Sequence, residues 1–503
     1  MTELGSATLE GAKARAVTVE CSLIKGLPSF TIVGLGDSSI QESKERVKSA
    51  LAKNSVTIPP YKLIVNLSPA DLKKSGSVFD FPIALAIMSE TLKKKITIKN
   101  AIFLGELSLD GTLKHSSQIF PLALSLAKEG VTKVFVVPKE SAEFVSKISS
   151  VEVYAPSDLS EAFALATSEK PMVFEGVREI DASYLDINEI KYFFEDKFEL
   201  NFSEVRGQTI AKRAAMIAAA GMHNILLEGS PGCGKSMIMK RLRYVLPPSS
   251  TEEVLKFAML DFLDGKEASF KPIRPMRSPH NNTTRSALLG GGSREGQMGE
   301  IALSAGGMLW LDELAHFDKT VLEGLREPLE NYRILISRVN SKIEYEADFL
   351  FAGSMNPCPC GNLLSKTKEC RCKDSEIVKY KSRLSEPFLD RMDIFVQMEE
   401  YDKDAIAEVS SEEMFASVLK AFKMQKSRGQ SVFNARLNEK EIKTLEIAED
   451  AMSILAQGVA RFGLSERARA KALKVARTIA DIGENQTIQK SHMLEALSYR
   501  KRG

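Results

Sequence analysis

The sequence predicts an α/β protein in three parts: an α+β domain, an α/β domain built around a glycine-rich loop, and a helical C-terminal domain. In the first part, β-branched runs such as FTIVGLG, KLIVNLS and KVFVVP alternate with the helical patterns SIQESKERVKSALAKN and FPIALAIMSETLKK. In the second part, the apolar run NILLE leads directly into GSPGCGKS and then into a helical pattern. In the third part, long amphipathic segments such as EKEIKTLEIAEDAMSILAQGVA indicate helices.

Changes in these patterns place the domain boundaries. We expect the α+β domain over residues 1–166, the loop-containing domain over 202–400 and the helical domain over 401–503. Between the first two lies 167–201, where the periodicity weakens and Pro171 and Gly176 occur, so this segment is predicted to be a charged linker. A chain of 503 residues has room for about two to four such domains.

Composition excludes several classes of protein. Hydrophobic residues make up 44% and charged residues 27%, as in an ordinary globular protein. There is no run of about eighteen apolar residues that would cross a membrane, and the first residues lack the apolar core of a signal peptide. Six cysteines in so long a chain predict a reducing, cytoplasmic location rather than a disulfide framework. The net charge of +2 neither requires nor excludes a nucleic-acid partner.

The glycine-rich loop has the spacing of a phosphate-binding site for ATP. It matches G-x-x-x-x-G-K-[ST] between a strand and a helix, through Gly229, Ser230, Pro231, Gly232, Cys233, Gly234, Lys235 and Ser236. Glycines let backbone N–H groups close around a phosphate, and the following helix directs its positive end there. We expect Lys235 to bind the β- and γ-phosphates and the Ser236 hydroxyl to bind Mg²⁺, with Cys233 as a small filler.

A second apolar strand, Met308–Leu311 in GGMLWLDELAHF, ends in two carboxylates. We expect Asp312 to hold the Mg²⁺ through water and Glu313 to polarise the water that attacks the γ-phosphate. The presence of a water-activating carboxylate predicts hydrolysis of ATP as well as binding.

Six separate stretches carry a family resemblance. They are GLPSFTIVGLGDSSIQESKERVKSAL, VNLSPADLKKSGSVFDFPIALAI, EVRGQTIAKRAAMIAAAGMHNILLEGSPGCGKS, GEIALSAGGMLWLDEL, LREPLENYRILISRV and MNPCPCG. With these, the chain resembles the ComM/YifB family of Mg-chelatase-like AAA+ proteins over nearly its full length. The resemblance implies a hexameric, ATP-driven DNA helicase that promotes branch migration during natural transformation. Relatives tend to have a His pair after Pro279, whereas this chain has His280 and Asn281.

The resemblance to AAA+ ATPases also implies roles for single polar residues. Asn356 follows the strand DFLFAGSM and fits the sensor that positions the attacking water. Arg391 in SRLSEPFLDRMDIFV resembles the arginine finger that acts on a neighbouring subunit's ATP. Arg467 opens a helix of the C-terminal domain and resembles the second sensor arginine. Arg383 and Arg469 are rivals for these two roles.

The N-terminal domain resembles the proteolytic domain of Lon, a ribosomal S5 domain 2-like fold, through LGELSLDGTLKHSSQIFPLALSLAKEGVTKVFVVPKES. Lon uses a Ser-Lys dyad. The alignment places Val78 at the nucleophile and Phe120 at the lysine, and neither side chain is capable of that chemistry. We therefore expect a non-proteolytic domain that serves as a scaffold or as a collar around DNA.

A cysteine-rich loop over 357–373 follows the sensor residue. Cys358, Cys360, Cys370 and Cys372 form C-x-C-x₉-C-x-C, which predicts a structural Zn²⁺ held by four thiolates. The one-residue spacers are tighter than usual, so reduced thiols without a metal and a disulfide pair stay open as alternatives.

Two insertions are candidates for DNA contact. The glycine-rich segment SPHNNTTRSALLGGGSREGQMGEIALSAGG carries Arg294, and the predicted hairpin YRILISRVNSKIEYEADF carries Arg338 and Lys342 near its turn. Cations on such loops would follow a phosphate backbone if the loops enter the pore of a ring. The alternative for these residues is ordinary surface charge. As alternatives to a DNA motor, the sequence leaves open a chelatase-type protein remodeller and an ATP-dependent protease or protease regulator.

Overall fold

The structure is a computed structural model that describes residues 1–291, 297–337, 342–400 and 409–500. The chain divides into two compact units. Unit 1 contains residues 1–181 and 258–270, and unit 2 contains 182–257 and the described residues from 271 onward. None of the helices in these ranges combines the length and apolar character needed to cross a bilayer.

Unit 1 is a seven-stranded mixed sheet with helices. Its strand order is β3-β4-β2-β1-β5-β8-β9. The pairs β1–β2 and β2–β4 are antiparallel, and the other neighbouring pairs are parallel. The elements are β1 Thr2–Glu10, β2 Lys13–Ile24, β3 Ser29–Val33, α1 Ser38–Lys53, β4 Lys62–Ser68, α2 Asp80–Leu92, β5 Ala101–Phe103, β6 Glu106–Leu107, β7 Leu113–Lys114, α3 Ile119–Lys128, β8 Val134–Val136, α4 Lys139–Ser146, β9 Glu152–Tyr154 and α5 Leu159–Ala166.

These elements include every strand and helix named from the first part of the sequence. The two positions aligned with the Lon dyad, Val78 and Phe120, are buried apolar side chains. The stretch 258–270 belongs to this unit although it is distant in sequence, because Phe270 packs against it. The Phe270 ring lies 5.1 Å from the Phe120 ring and 5.8 Å from the Phe144 ring.

Unit 2 is built on a five-stranded parallel sheet of order β14-β17-β20-β12-β21. The elements that begin in it are β10 Ser183–Ile187, β11 Ile190–Phe194, α6 Thr209–Gly221, β12 Ile225–Glu228, α7 Lys235–Leu242, β13 Ser249–Ser250, α8 Thr251–Leu263, β14 Met276–Arg277, α9 Arg285–Leu289, β15 Gly290–Gly291, β16 Gln297–Met298, α10 Glu300–Leu303, β17 Met308–Leu311, α11 Lys319–Gly324, α12 Pro328–Asn331, β18 Arg333–Ser337, β19 Lys342–Glu346, β20 Leu350–Met355, α13 Asp374–Lys381, α14 Glu386–Leu389, β21 Ile394–Gln397, α15 Ser411–Ser427, α16 Glu439–Lys443, α17 Glu449–Phe462, α18 Glu466–Ile482 and α19 Lys490–Ser498.

The register of the parallel sheet places the functional loops side by side. Glu228 pairs with Met355, so the residues that follow β12 and β20 leave the sheet next to each other. Leu311 pairs with Gly353, which places the end of β17 beside the same edge. Carboxyl ends of parallel strands share one edge of a sheet, where ligands of α/β proteins bind.

Part of the segment predicted to be a linker is ordered as a hairpin of β10 and β11. Its aromatic residues pack on helix α15, with the Tyr192 ring 5.0 Å from Phe422 and the Phe194 ring 5.4 Å from Phe415. The sequence reads as a weak connector because the partners of these rings lie more than 200 residues away.

Candidate active site

The glycine-rich loop lies between β12 and α7, as its motif predicts. Gly232 and Gly234 have φ angles of +82° and +99°, in the left-handed region that glycine adopts without strain. A Cβ on Gly229 would lie 2.7 Å from the Cys233 sulfur and 3.0 Å from the Met398 Cβ, so only glycine fits there. The Cys233 thiol is buried and fills this space.

The Lys235 ammonium is held inside the loop by three oxygen acceptors. Nζ donates to the Gly229 carbonyl at 2.6 Å, to the Ser230 carbonyl at 3.0 Å and to Asn356 Oδ1 at 3.2 Å. Lys235 is only 8% exposed to solvent. The contact with Asn356 joins the loop to the end of β20, and so brings together two residues predicted for the site.

A hydroxyl and a carboxylate meet next to this ammonium. Ser236 Oγ donates to Asp312 Oδ2 at 3.0 Å, and Ser354 Oγ donates to Asp312 Oδ1 at 2.6 Å. Ser354 in turn accepts from Trp310 Nε1 at 3.2 Å, which orients its hydroxyl. Hydroxyl and carboxylate oxygens are the ligands that Mg²⁺ prefers, so the donor set of Ser236 and Asp312 fits that ion.

The backbone of Glu313 adopts a left-handed conformation that is unusual for a residue with a side chain. Its φ is +51°, and its backbone N–H donates to Asp312 Oδ1 at 3.0 Å. Its carboxylate accepts from Asn281 Nδ2 at 3.1 Å. Asn281 is the residue at which this chain departs from the His pair of its relatives, and no sequence motif predicts its contact with Glu313.

Arg391 and Arg467 converge on one carboxylate, Glu330. Arg391 Nη2 pairs with Glu330, and Arg467 Nη2 pairs with the other oxygen of the same carboxylate at 2.5 Å. Arg391 also donates to the carbonyl of Pro387 and, at 3.2 Å, to that of Arg326. Both arginines thus contact α12 through Glu330, and Arg391 also contacts α14 through Pro387.

The two rival arginines make different contacts. Arg383 donates to the Ala315 carbonyl at 2.9 Å, and Arg469 pairs at 3.1 Å with Glu466 one turn earlier on its own helix. Neither of these partners is shared with Arg391 or Arg467.

A buried ionic network supports the backbone of Arg391. Lys471 Nζ donates to the Arg391 carbonyl at 2.9 Å and to Asp393 Oδ1 at 2.5 Å. Burial by itself raises the pKa of Asp393, but the Lys471 ammonium and His223 outweigh this and hold it well below its usual range. Asn224 Nδ2 donates to the same Arg391 carbonyl at 3.0 Å. Helix α18 is therefore tied to the segment that carries Arg391.

The four cysteines of the 357–373 loop form one cluster. Their sulfurs all lie within 4.8 Å of one another, and Cys358, Cys360 and Cys370 are separated by 3.5, 3.7 and 3.6 Å. A tetrahedral zinc with bonds of about 2.3 Å requires sulfur separations of about 3.8 Å. Backbone N–H groups of Asn362 and Arg371 lower the pKa of Cys360 to about 6. At Cys370 and Cys372, backbone N–H groups lower the pKa, but burial and the neighbouring cysteines outweigh them and raise the pKa of both thiols. By its sulfur separations, the quartet fits a tetrahedral metal.

The candidate DNA contacts are described only in part. Arg294 and Arg338 lie outside the described residues. The predicted hairpin is formed by β18 and β19. Lys342, the first residue of β19, pairs in register with Ser337, the last residue of β18. Arg333 at the other end of this hairpin pairs with Glu344 at 2.9 Å.

The sheet and its loops define the class of protein. In this parallel sheet the glycine-rich loop follows β12, Asp312 follows β17, Asn356 follows β20, and helices follow β21. This is the arrangement of a phosphate-loop ATPase domain of the AAA+ type.

Comparisons with known proteins identify the family. The family described as "Magnesium chelatase, subunit ChlI" matches residues 201–406, "Subunit ChlI of Mg-chelatase" matches 19–141, and "Magnesium chelatase, subunit ChlI C-terminal" matches 408–500. Competence protein ComM of Haemophilus influenzae is 35% identical over 501 residues, covering 97% of this chain and 95% of that protein. The uncharacterized protein YifB of Escherichia coli is 35% identical over 502 residues, with the same coverage of 97% and 95%. The chain therefore belongs to the ComM/YifB family of magnesium-chelatase-like AAA+ proteins, and this membership indicates an ATPase.

Proposed function

We propose that this protein is a cytoplasmic ATPase that works as a hexameric ring and moves branched or single-stranded DNA, in the recombination step of natural transformation. The observation that carries the ATPase part is the convergence of Lys235, Ser236, Asp312 and Asn356 at one edge of the parallel sheet. The DNA part rests on the family resemblance and on the name of the Haemophilus relative, a competence protein.

The residues divide the work of hydrolysis among them. The amides of the glycine-rich loop and the Lys235 ammonium bind the β- and γ-phosphates of ATP. Ser236 would bind Mg²⁺ and Asp312 would hold it through water, and the ion would neutralise phosphate charge. Glu313 accepts the proton of the attacking water, and Asn356 orients that water. Asn281 keeps the Glu313 carboxylate in place from the side, through the bond at 3.1 Å.

Two substitutions test this division. Lys235→Ala removes the phosphate partner, so nucleotide binding should be lost. Glu313→Gln keeps the shape of the side chain but removes the proton acceptor, so binding should persist while hydrolysis slows by at least about a hundredfold. Equilibrium binding of a fluorescent ATP analogue and steady-state turnover distinguish the two variants. Normal turnover in Glu313→Gln would remove Glu313 from the catalytic role.

The proposed ring rests on Arg391. An arginine finger supplied by a neighbouring subunit stabilises transition-state charge on ATP bound at the interface between the two subunits. Contacts with Glu330 of α12, with the Pro387 carbonyl of α14 and with the Arg326 carbonyl hold the guanidinium in its own subunit. Its action on a neighbour's nucleotide is inferred from the resemblance of SRLSEPFLDRMDIFV to the AAA+ arginine finger.

We also propose a structural zinc in the cysteine cluster. The sulfur separations fit the ion, and zinc would cross-link a 17-residue loop (357–373) that contains no helix or strand between β20 and α13. Purified protein should carry about one zinc per chain. Replacing Cys358 and Cys372 together with Ser should remove it, as elemental analysis would show. Protein prepared without chelators that contains no metal would favour free thiols instead.

The proposed DNA contact lies on the β18–β19 hairpin. If Arg338 and Lys342 bind phosphates, replacing each with Gln should weaken binding to DNA of any sequence and lower the salt slope by about one unit per contact. Arg333→Gln is the matched control on the same hairpin, because Arg333 is already paired with Glu344. Equal losses in the control and the two test variants would argue against a specific contact at the turn.

The decisive experiment measures DNA-stimulated hydrolysis and migration of a three-stranded or four-way junction. We expect both activities in the wild-type ring and neither in Glu313→Gln. An active hexamer that no DNA structure stimulates, and that moves no junction, would contradict the motor. A protein remodeller of the chelatase type, which the match over 201–406 favours, would then be the better assignment.

A further inference from the structure

We propose that metal bound in the cysteine cluster controls the affinity of the phosphate loop for ATP, through a contact between Gly361 and Pro231. The inference rests on the proposed ATP and zinc sites and adds a regulatory link between them. Both residues belong to loops that leave the same edge of the parallel sheet, one after β12 and one after β20.

The two loops touch at a point where no side chain fits. A Cβ on Gly361 would lie 2.5 Å from Pro231 Cδ and 2.6 Å from Pro231 Cγ. Gly361 also has a φ of +78°, which side-chain-bearing residues rarely adopt. The backbone of the cysteine loop therefore packs directly on the proline ring of the phosphate loop.

The position of Gly361 depends on the cysteines around it. Its backbone N–H donates to the Cys358 carbonyl at 3.0 Å, and Cys360 immediately precedes it. Cys358 is buried, and its sulfur lies 3.5 Å from that of Cys360 and 3.7 Å from that of Cys370. A metal that bonds all four sulfurs would hold this turn in one conformation, whereas free thiols restrain it only through weak contacts.

The phosphate loop is the partner whose conformation matters. Pro231 is followed by Gly232, and a Cβ on Gly232 would meet no atom within 4 Å, so packing restrains this part of the loop little. Asn356 provides a second connection, since it bonds Lys235 at 3.2 Å and stands two residues before Cys358. Fixing the cysteine loop would preorganise the amides and the ammonium that bind phosphate, and preorganisation raises affinity.

Coupling of this kind is reciprocal. If metal tightens nucleotide binding by a given factor, nucleotide must tighten metal binding by the same factor. We expect a factor of about ten, which is within the usual range for such coupling.

The experiment uses the full-length protein, a fluorescent ATP analogue with excess Mg²⁺, and a zinc-selective chelator. Zinc-loaded protein should bind the analogue about tenfold more tightly than stripped protein, and added zinc should restore the difference. In the converse measurement, the analogue should raise zinc affinity by the same factor. Equal affinities in either comparison would overturn the coupling, and so would the absence of zinc from the wild-type protein.

Gly361→Ala tests the route of the coupling. This variant should keep its zinc but bind the analogue about tenfold more weakly, because the new methyl group displaces Pro231. Gly429→Ala is the control: Gly429 has a similar φ of +70°, and a Cβ there would meet nothing within 4 Å. The control should bind nucleotide like the wild type.

The outcomes separate this inference from the proposed function. Wild-type affinity in Gly361→Ala, or loss of its zinc, would overturn the Gly361–Pro231 route. Failure of zinc-loaded wild-type protein to bind any nucleotide would refute the proposed ATPase itself, and the coupling with it. If the protein binds nucleotide with the same affinity in the presence and absence of zinc, the coupling alone would be refuted.

Discussion

Mixing inactive variants should reveal on which subunit's ATP each arginine acts. Arg391→Ala lacks the proposed arginine finger. Glu313→Gln lacks the proposed proton acceptor but is expected to keep nucleotide binding and thus ring assembly. Each alone should lose activity, the finger variant by about a thousandfold or more. In a mixed ring, an intact site forms where an Arg391→Ala subunit binds ATP next to a Glu313→Gln subunit that supplies Arg391.

The recovered rate follows from the statistics of a ring with head-to-tail interfaces. In an equal mixture, the ATP-binding partner has an intact Glu313 in half of the interfaces, and its neighbour has an intact Arg391 in half of those. About one quarter of the wild-type rate should therefore return, far above the background of either variant.

A second mixture uses the shared contact with Glu330. Because Arg391 and Arg467 bind the same carboxylate, we expect both to act from the same subunit on a neighbour's ATP. A mixture of Arg391→Ala and Arg467→Ala should then recover nothing, since neither kind of subunit supplies both arginines. If Arg467 instead acts on its own subunit's ATP, this mixture should also recover about one quarter.

Hydrolysis by freshly mixed subunits, with hexamer formation checked by analytical ultracentrifugation, measures both cases. Recovery in the second mixture would refute the inference from Glu330. No recovery in the first mixture, with mixed rings confirmed, would refute an arginine finger that acts between subunits.

Three further predictions concern single residues of both units. Ser354→Ala removes the 2.6 Å donor to Asp312, and loss of a hydrogen bond to a charged group should lower kcat about tenfold, as steady-state kinetics would show. Burial lowers the pKa of Lys474 from 10.5 to about 8, so the unfolded chain holds more protons between these values and wild-type stability rises with pH there. Lys474→Met should therefore stabilise the protein by roughly 1 to 3 kcal/mol at pH 7 and by less at pH 10, measured by denaturant unfolding; an equal gain at both pH values would contradict this. Because Val78 and Phe120 are buried apolar side chains, pure protein should not cleave an unfolded substrate with ATP, and cleavage would disprove the expectation.

Most of the site could be anticipated from contiguous motifs. The phosphate-loop motif consists of a strand, a glycine-rich turn and a helix in succession. Its eight residues could therefore be predicted from one contiguous stretch of sequence. The Asp-Glu pair could be placed because an apolar run of four residues marks the strand that delivers it. The cysteine cluster was readable for the same reason, because all four sulfurs come from a single short loop.

The segment 183–194 shows why part of the fold was not readable. Its aromatic residues look like an isolated apolar patch until α15 provides the surface on which they pack. Similarly, the stretch 258–270 lies inside the region predicted to be the ATPase domain, 202–400. It belongs instead to unit 1, where Phe270 packs with Phe120 and Phe144. Local patterns do not record partners that come from distant parts of the chain.

The sequence by itself therefore predicted the chemical groups of the proposed site: a loop for phosphate, a carboxylate for the attacking water and four thiols that cluster. Only the tertiary structure decided how those groups are connected. Asn281 reaches Glu313 across 32 residues, and Glu330 reaches Arg467 across 137. Gly361 meets Pro231 because β12 and β20 are neighbours in the sheet, although more than 100 residues separate them in the chain. The physical reason is that motifs depend on local backbone geometry, whereas these contacts depend on strand order and packing, which the whole chain sets together.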